Sequence, residues 1–202
     1  MRWKEASWDM EYAVACIVGY VLGSIPVSLL VARRHGVDLY RTADGNPGAW
    51  NALEQLGWGR AWPAFVGDAL KGSLAGALGV ALGGIWVGYA AVAAAMVGHA
   101  FPAFAHLRGG KSVMTFAGGA VILAPAAGAM ALALLALLSF TRGGFALGAR
   151  VGVFAFPVLQ LATAPVGNVI ATGALMCLIG ARFVFARRSG HAMSVSDGPP
   201  TT

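Results

Sequence analysis

The sequence predicts an all-α integral membrane protein of seven transmembrane helices, with the N-terminus outside and the C-terminus cytoplasmic. Three observations carry this expectation. Of 202 residues, 58% are hydrophobic, 29 are glycine and only 11% are charged, against about 25% charged in soluble domains. Apolar runs long enough to span a bilayer recur along the chain. Arginine and lysine gather in alternate connections between those runs, as in cytoplasmic loops. The composition excludes an ordinary soluble globule and inverts the low-hydrophobicity signature of disorder. Each span needs about 20 residues, so the chain accommodates seven or eight at most and leaves no room for a soluble domain.

The first span is expected at 11–32; it is too long for a signal-peptide core and lacks a cleavage site before Arg33 and Arg34. Spans two and three follow at about 62–82 and 85–105. The apolar run 113–140 is too long for one helix, and Pro125 near its middle divides it into spans four and five. After Thr141-Arg142-Gly143-Gly144, the stretch to Phe185 divides near Ala164-Pro165 into spans six and seven. Arg33, Arg34, Arg41 and Arg60 follow span one, Arg108 and Lys111 span three; Arg142 and Arg150 flank the turn after span five, and Arg182, Arg187 and Arg188 close span seven. The turns after spans two, four and six carry no lysine or arginine, which sets the orientation. Residues 1–188 read as one membrane domain, and 189–202, with Gly198-Pro199-Pro200 and no apolar face, as a disordered cytoplasmic tail.

Cys16 and Cys177 both lie in apolar runs, which excludes a disulfide framework or CxxC metal site. The net charge of +6 sits in short loops, where it orients the chain and does not signal nucleic acid. Glycines 19 and 23, 72 and 76, and 79 and 83 each stand four apart, a spacing that brings helix backbones together in lipid.

Three segments carry chemistry. In Thr42-Ala43-Asp44-Gly45-Asn46-Pro47-Gly48-Ala49-Trp50-Asn51, proline favours the first helical position, so Asn46 is expected to cap a helix from Pro47 to Leu56. The amides of Gly48 and Ala49 would then be free at a helix N-terminus, a geometry suited to phosphate; an ordinary capped interfacial helix is the alternative. Gly98-His99-Ala100-Phe101-Pro102 and Arg108-Gly109-Gly110-Lys111 form a second loop on the same side, with exposed amides and flanking cations for an anion. Topology alone would also explain those cations. Asp68 and Lys71 lie three residues apart inside span two, either an internal ion pair or ligand groups in a polar pocket.

These segments, with Gly23-Ser24-Ile25-Pro26 before them and Asp68-Ala69-Leu70-Lys71-Gly72 between, occur in the order found in one family. The chain resembles the bacterial acyl-phosphate-dependent glycerol-3-phosphate acyltransferases. The resemblance implies seven membrane helices and transfer of a fatty acyl group from acyl phosphate to the first hydroxyl of glycerol 3-phosphate. It implies lysophosphatidic acid as product, within phospholipid biosynthesis, with no metal or cofactor. The expected setting is the cell inner membrane, with the site facing the cytoplasm, membrane lipids as neighbours and a monomer as the assembly. Lys111, Ser24 and His99 become the candidate catalytic residues. Gly45, Asn46, Gly48 and Asn51 become a phosphate cradle, with Gly109 and Gly110 beside Lys111 for a second phosphoryl group or the oxyanion. Asp68, Lys71, Arg108 and Arg41 complete the binding set.

The chain departs from the family pattern at four places. Asp44 stands where a serine is usual and Glu54 where an arginine is usual. Phe145 lies where the loop after span five usually carries a serine, and Ala186-Arg187-Arg188-Ser189-Gly190 replaces an arginine-histidine pattern with a nearby asparagine. These departures support an alternative, a catalytically inactive relative that binds a phosphorylated lipid or precursor. A small transporter is the third class, without the inverted repeat or paired broken helices expected of one.

Overall fold

The computed structural model describes residues 2–196, with side chains described from Trp8 to Ala186. Among them run nine α-helices: α1 Arg2–Gly23, α2 Val27–Arg34, α3 Ala49–Leu56, α4 Trp58–Gly83, α5 Ile85–Ala100, α6 Val113–Leu123, α7 Pro125–Ser139, α8 Gly144–Leu161 and α9 Val166–Ser196. Five segments are long and apolar enough to cross a membrane: Trp8–Arg34, Trp58–Gly83, Ile85–Ala105, Gly144–Leu161 and Val166–Ala186. The shorter apolar helices Val113–Leu123 and Pro125–Ser139 occupy the places of expected spans four and five. At about 1.5 Å per residue, α6 alone reaches roughly half of a bilayer core of about 30 Å. The tail expected at 189–202 overlaps the end of α9, whose backbone is helical to Ser196; residues 197–202 lie outside the described residues, as do the side chains from Arg187 onward.

Proline and glycine set the boundaries. Pro125 opens α7 at its first position, leaving Ala124 as the whole connection from α6. Gly57, at φ 71°, ends α3 and begins α4, so expected span two starts earlier than 62. Span one is not one helix as expected. It breaks between Gly23 and Val27, because Pro26 has no N–H to donate and disfavours helical geometry at Ile25. The break frees the Ile25 carbonyl, which accepts a hydrogen bond from Lys71 Nζ at 3.1 Å.

Small residues set the helix contacts, as the glycine spacing predicts. Gly19 and Gly23 of α1 lie against the Ala91 and Ala95 backbone of α5, and Gly72 of α4 against the Thr115 carbonyl of α6, leaving no room for a Cβ. Gly118 of α6 abuts the Ala69 carbonyl of α4 in the same way. Lipid provides little hydrophobic drive for association, so close backbone packing and polar pins hold the bundle. Ser73 donates to the Gly118 carbonyl at 2.9 Å. At the end of the bundle away from the loops described below, Tyr89 Oη donates to the Asn168 carbonyl at 2.9 Å and accepts from Gln160 Nε2 at 3.0 Å. That network joins α5, α8 and α9. Phe116 and Phe156 meet edge to face at 6.0 Å in the apolar centre.

Candidate functional site

The connection between α2 and α3 is folded around one side chain. Asn51 is 3% exposed, and its Nδ2 lies within hydrogen-bond distance of three carbonyls, Leu39 at 3.0 Å, Thr42 at 3.1 Å and Asn46 at 3.0 Å. Thr42 donates its hydroxyl to Asn51 Oδ1 at 3.0 Å. The amide group is therefore committed to shaping the loop, although Asn51 also touches the cavity described below. The expected Asn46 cap is not formed: α3 begins at Ala49 with Gly48 at the cap position and no side-chain cap. The Gly48 N–H is not free either, since it donates to the Asn46 carbonyl at 2.8 Å. With Pro47 fixing the backbone between them, that short turn displaces the helix start by two residues. Gly45, at φ 69°, and Ala43, at φ 48°, carry the loop through left-handed geometry.

The second loop is pinned from both sides. Gly109 and Gly110 are buried, and their N–H groups donate to the Ala100 and His99 carbonyls at 3.2 and 3.1 Å. Their carbonyls accept from Arg182 of α9, from Nη2 at 3.0 Å and Nε at 3.2 Å respectively. The amides expected to face an anion are thus spent within the fold. Leu107 and Ser112 adopt left-handed backbone, φ 59° and 62°, conformations that cost non-glycine residues of order 1 to 3 kcal/mol unless their surroundings hold them. The Ser112 hydroxyl, donated to the Met96 carbonyl at 2.7 Å, is one such restraint.

Lys111 extends from this loop to the first one. Its Nζ lies 2.6 Å from Asp44 Oδ2 and 4.7 Å from the Phe183 ring centroid. Asp44 Oδ1 also accepts the Asn46 N–H at 3.1 Å. Partial burial acts to raise the Asp44 pKa, but the Lys111 contact and the Asn46 amide outweigh it and hold the carboxyl below its usual range. Arg108 stacks on Tyr40 at 4.6 Å while the Tyr40 hydroxyl donates to the Arg108 carbonyl at 2.8 Å. Arg108 is exposed, as is Arg41, and neither lines the main cavity.

Beneath the loops sits a charged knot. Asp68 is 1% exposed and Lys71 4%, with Lys71 Nζ 2.8 Å from Asp68 Oδ1. Ser28 donates to Asp68 Oδ2 at 2.7 Å, and His99 Nδ1 stands 3.6 Å from Asp68 Oδ1. Lys71 is thereby matched to Asp68 and to the Ile25 carbonyl, the ion-pair reading of that motif. Ser24 is fully buried beside Gly98, its hydroxyl without a protein partner.

A cavity of about 1090 Å³ opens above the knot. Asp44, Asn46, Gly48, Lys111, Asp68 and His99 line its polar part; Met114, Val153, Phe154, Met176 and Ile179 line a trench that runs down between α6, α8 and α9. Lys71, Arg108, Gly109 and Gly110 border instead a separate void of about 10 Å³, room for roughly one water. Ser24, Arg41 and Gly45 line neither. Two departures from the family pattern meet on the cavity wall. Phe145 packs 4.9 Å from Trp58, 5.7 Å from Phe65 and 6.5 Å from Trp50, and Glu54 accepts the Trp50 indole N–H at 2.8 Å. An aromatic clamp between α3, α4 and α8 thus stands where polar groups were expected. Arg150 also lines the cavity; in the sequence it and Arg182 read only as topology markers, because the glycine-rich α8 and α9 segments around them carry no further signal. Among the described residues no group of three His, Cys, Asp or Glu comes together to hold a metal ion.

The family model for glycerol-3-phosphate acyltransferase matches residues 13–193. A glycerol-3-phosphate acyltransferase of Rubrobacter xylanophilus is 46% identical over 113 residues, 55% of this chain and 57% of that protein. Glycerol-3-phosphate acyltransferase 3 of Bacillus anthracis is 31% identical over 189 residues, 91% of each chain. The crystal structure of PlsY, an integral membrane glycerol 3-phosphate acyltransferase, in its glycerol 3-phosphate form superposes with a TM-score of 0.72 at 26% identity over 92% of both chains. Its lysophosphatidic acid form gives 0.71 at 25% identity over the same share.

Proposed function

Because the chain belongs to the glycerol-3-phosphate acyltransferase family, we propose that it is a multi-pass membrane enzyme that acylates glycerol 3-phosphate from acyl phosphate, giving lysophosphatidic acid. One observation carries the assignment. A single cavity joins a polar mouth holding Lys111, Asn46 and Asp44 to an apolar trench at membrane depth, as required by a donor with phosphate at one end and a fatty chain at the other. The proposed topology has seven spans, the loops that bear Asp44 and Lys111 on the cytoplasmic side, and a monomer as the working unit.

Acyl phosphate is already activated, so the protein mainly has to hold two anions, orient the hydroxyl and stabilise charge on the carbonyl oxygen. The glycerol hydroxyl attacks the carbonyl carbon, forming the ester C–O bond. Collapse of the tetrahedral intermediate breaks the bond to the phosphate oxygen, and the departing phosphate takes the hydroxyl proton. No metal or cofactor enters this scheme. Lys111 serves the phosphoryl group or the oxyanion, releasing Asp44 as it does. Phosphate brings nearly two negative charges and three acceptor oxygens against the single charge of Asp44, so it competes for the same ammonium. Asn46 and the first amides of α3 form the cradle, with Gly48 permitting close approach, Gly45 carrying the loop through its left-handed turn, and Arg41 and Arg108 adding positive field at the mouth. His99 and Asp68 form the wall beneath the mouth, where His99 sits beside the reacting groups. Asn51, Ser24 and Lys71 act from behind by holding the loop and the break between α1 and α2.

Purified protein supplied with acyl phosphate and glycerol 3-phosphate should release inorganic phosphate and lysophosphatidic acid in equal amounts. Binding of glycerol 3-phosphate without either product would instead identify an inactive relative.

A further inference from the structure

We infer that Arg182 is a positioning residue for Lys111, acting through the main chain of the Gly109–Gly110 turn; the inference deepens the acyltransferase reading and rests on it for its kinetic part. The turn has no side chains with which to anchor itself. A Cβ at Gly109 would strike the His99 and Ala100 carbonyls, and one at Gly110 the His99 imidazole. Its place is therefore set by four main-chain groups: two N–H groups given to the end of α5 and two carbonyls given to Arg182. The planar guanidinium fork satisfies two adjacent carbonyls at once, which a lysine ammonium does not reproduce. It rests on the Phe101 ring at 4.8 Å, so it is held from below as well.

The next residue along the chain from this turn is Lys111, and the next along α9 from Arg182 is Phe183, whose ring lies under the Lys111 ammonium. One stretch of α9 thus supports both the backbone and the charged tip of the same lysine. Arg182 itself does not line the cavity, while Lys111 and Phe183 do; it reaches a ligand only through Lys111. A charge retained merely for membrane orientation would extend toward lipid head groups and water, but this one is committed to two carbonyls inside the fold.

The test is a cycle of Arg182→Gln in the wild-type and Lys111→Ala backgrounds, read as kcat/KM with acyl phosphate and glycerol 3-phosphate, together with hydrogen exchange at the Gly109 and Gly110 amides. Loss of a charged fork predicts a fall of about tenfold or more in the wild-type background. It predicts no further fall once Lys111 is alanine, and faster exchange confined to the turn. Arg182→Lys should recover only part of the rate, and it carries the same cycle should Arg182→Gln fail to fold. Losses that multiply with Lys111→Ala, full rescue by lysine, or unchanged exchange would each overturn the inference. If the wild-type protein turns over neither substrate, the acyltransferase reading fails on its own, and the exchange measurement still decides the role of Arg182 in holding the turn.

Discussion

Two anions compete for one ammonium at Lys111. Asp44 holds it at 2.6 Å, and a substrate phosphate has to displace that carboxylate. Lys111→Ala removes the contact to phosphate while leaving the glycine turn before it intact; activity should fall about ten- to a hundredfold, with unchanged thermal unfolding in detergent. Asp44→Ser should do the opposite for binding. By freeing Lys111 it raises affinity for glycerol 3-phosphate about two- to fivefold, the scale of an exposed ion pair, and more at low salt than at high. The pH dependence follows from the lowered Asp44 pKa. The carboxylate stays charged, and the ion pair intact, as pH falls through the ordinary carboxylate value of about 4, and the pair is lost only near the depressed value. The affinity ratio between Asp44→Ser and wild type is therefore held from about pH 8 down to about pH 4, where a carboxyl of ordinary pKa would already be about half protonated. Calorimetric titration across that range checks it; a ratio that has fallen toward one by about pH 4 would contradict the depressed pKa.

At the level of elements, the broken first span and α4 are held by a buried charge pair. Lys71 bridges Asp68 and the Ile25 carbonyl, so Lys71→Ala leaves both without their cation inside the bundle. Breaking a buried pair from one side costs about 3 to 5 kcal/mol, whereas replacing both partners with neutral groups of similar size is close to neutral. Lys71→Met should therefore lower the unfolding temperature sharply, and the double variant Asp68→Asn with Lys71→Met should recover much of the loss. Ser28 keeps its acceptor in that double variant, since an asparagine amide oxygen still accepts. Equal instability of single and double variants would show that the pair matters for its packing and not for its charge.

Across the whole molecule, the segments that carry Asp44, Lys111, Phe145 and Arg182 meet at one end of the bundle. The Tyr89 network and the connection at Ala124 lie at the other. That agreement between contact and alternating charge motivates a labelling test in a background without Cys16 and Cys177. Single cysteines at Arg41 and His106, both exposed, should react in inverted vesicles and stay protected in intact cells, while one at Ala162 should do the reverse. Labelling of position 41 from outside would overturn the proposed orientation.

The sequence by itself determined the apolar segments, their breaks at Pro125 and Pro165, the glycine contacts of α1 and α4, and the segments that build the cavity mouth. Each follows from local chemistry: a missing N–H, a missing Cβ, or the cost of charge in lipid. The sequence also supplied four family motifs in order, enough to imply the activity class. Only the tertiary structure decided how their donors are spent. Asn51 is turned inward to brace the loop, and the Gly109 and Gly110 amides are given to α5. Lys71 answers Asp68, and the Asp44 departure is met by Lys111. Phe145 and Arg182 acquire roles only where α8 and α9 come against distant loops. The reason is physical: a hydrogen bond between residues 70 positions apart leaves no periodicity or spacing in the chain, because the partner is chosen by packing and not by neighbourhood along the backbone.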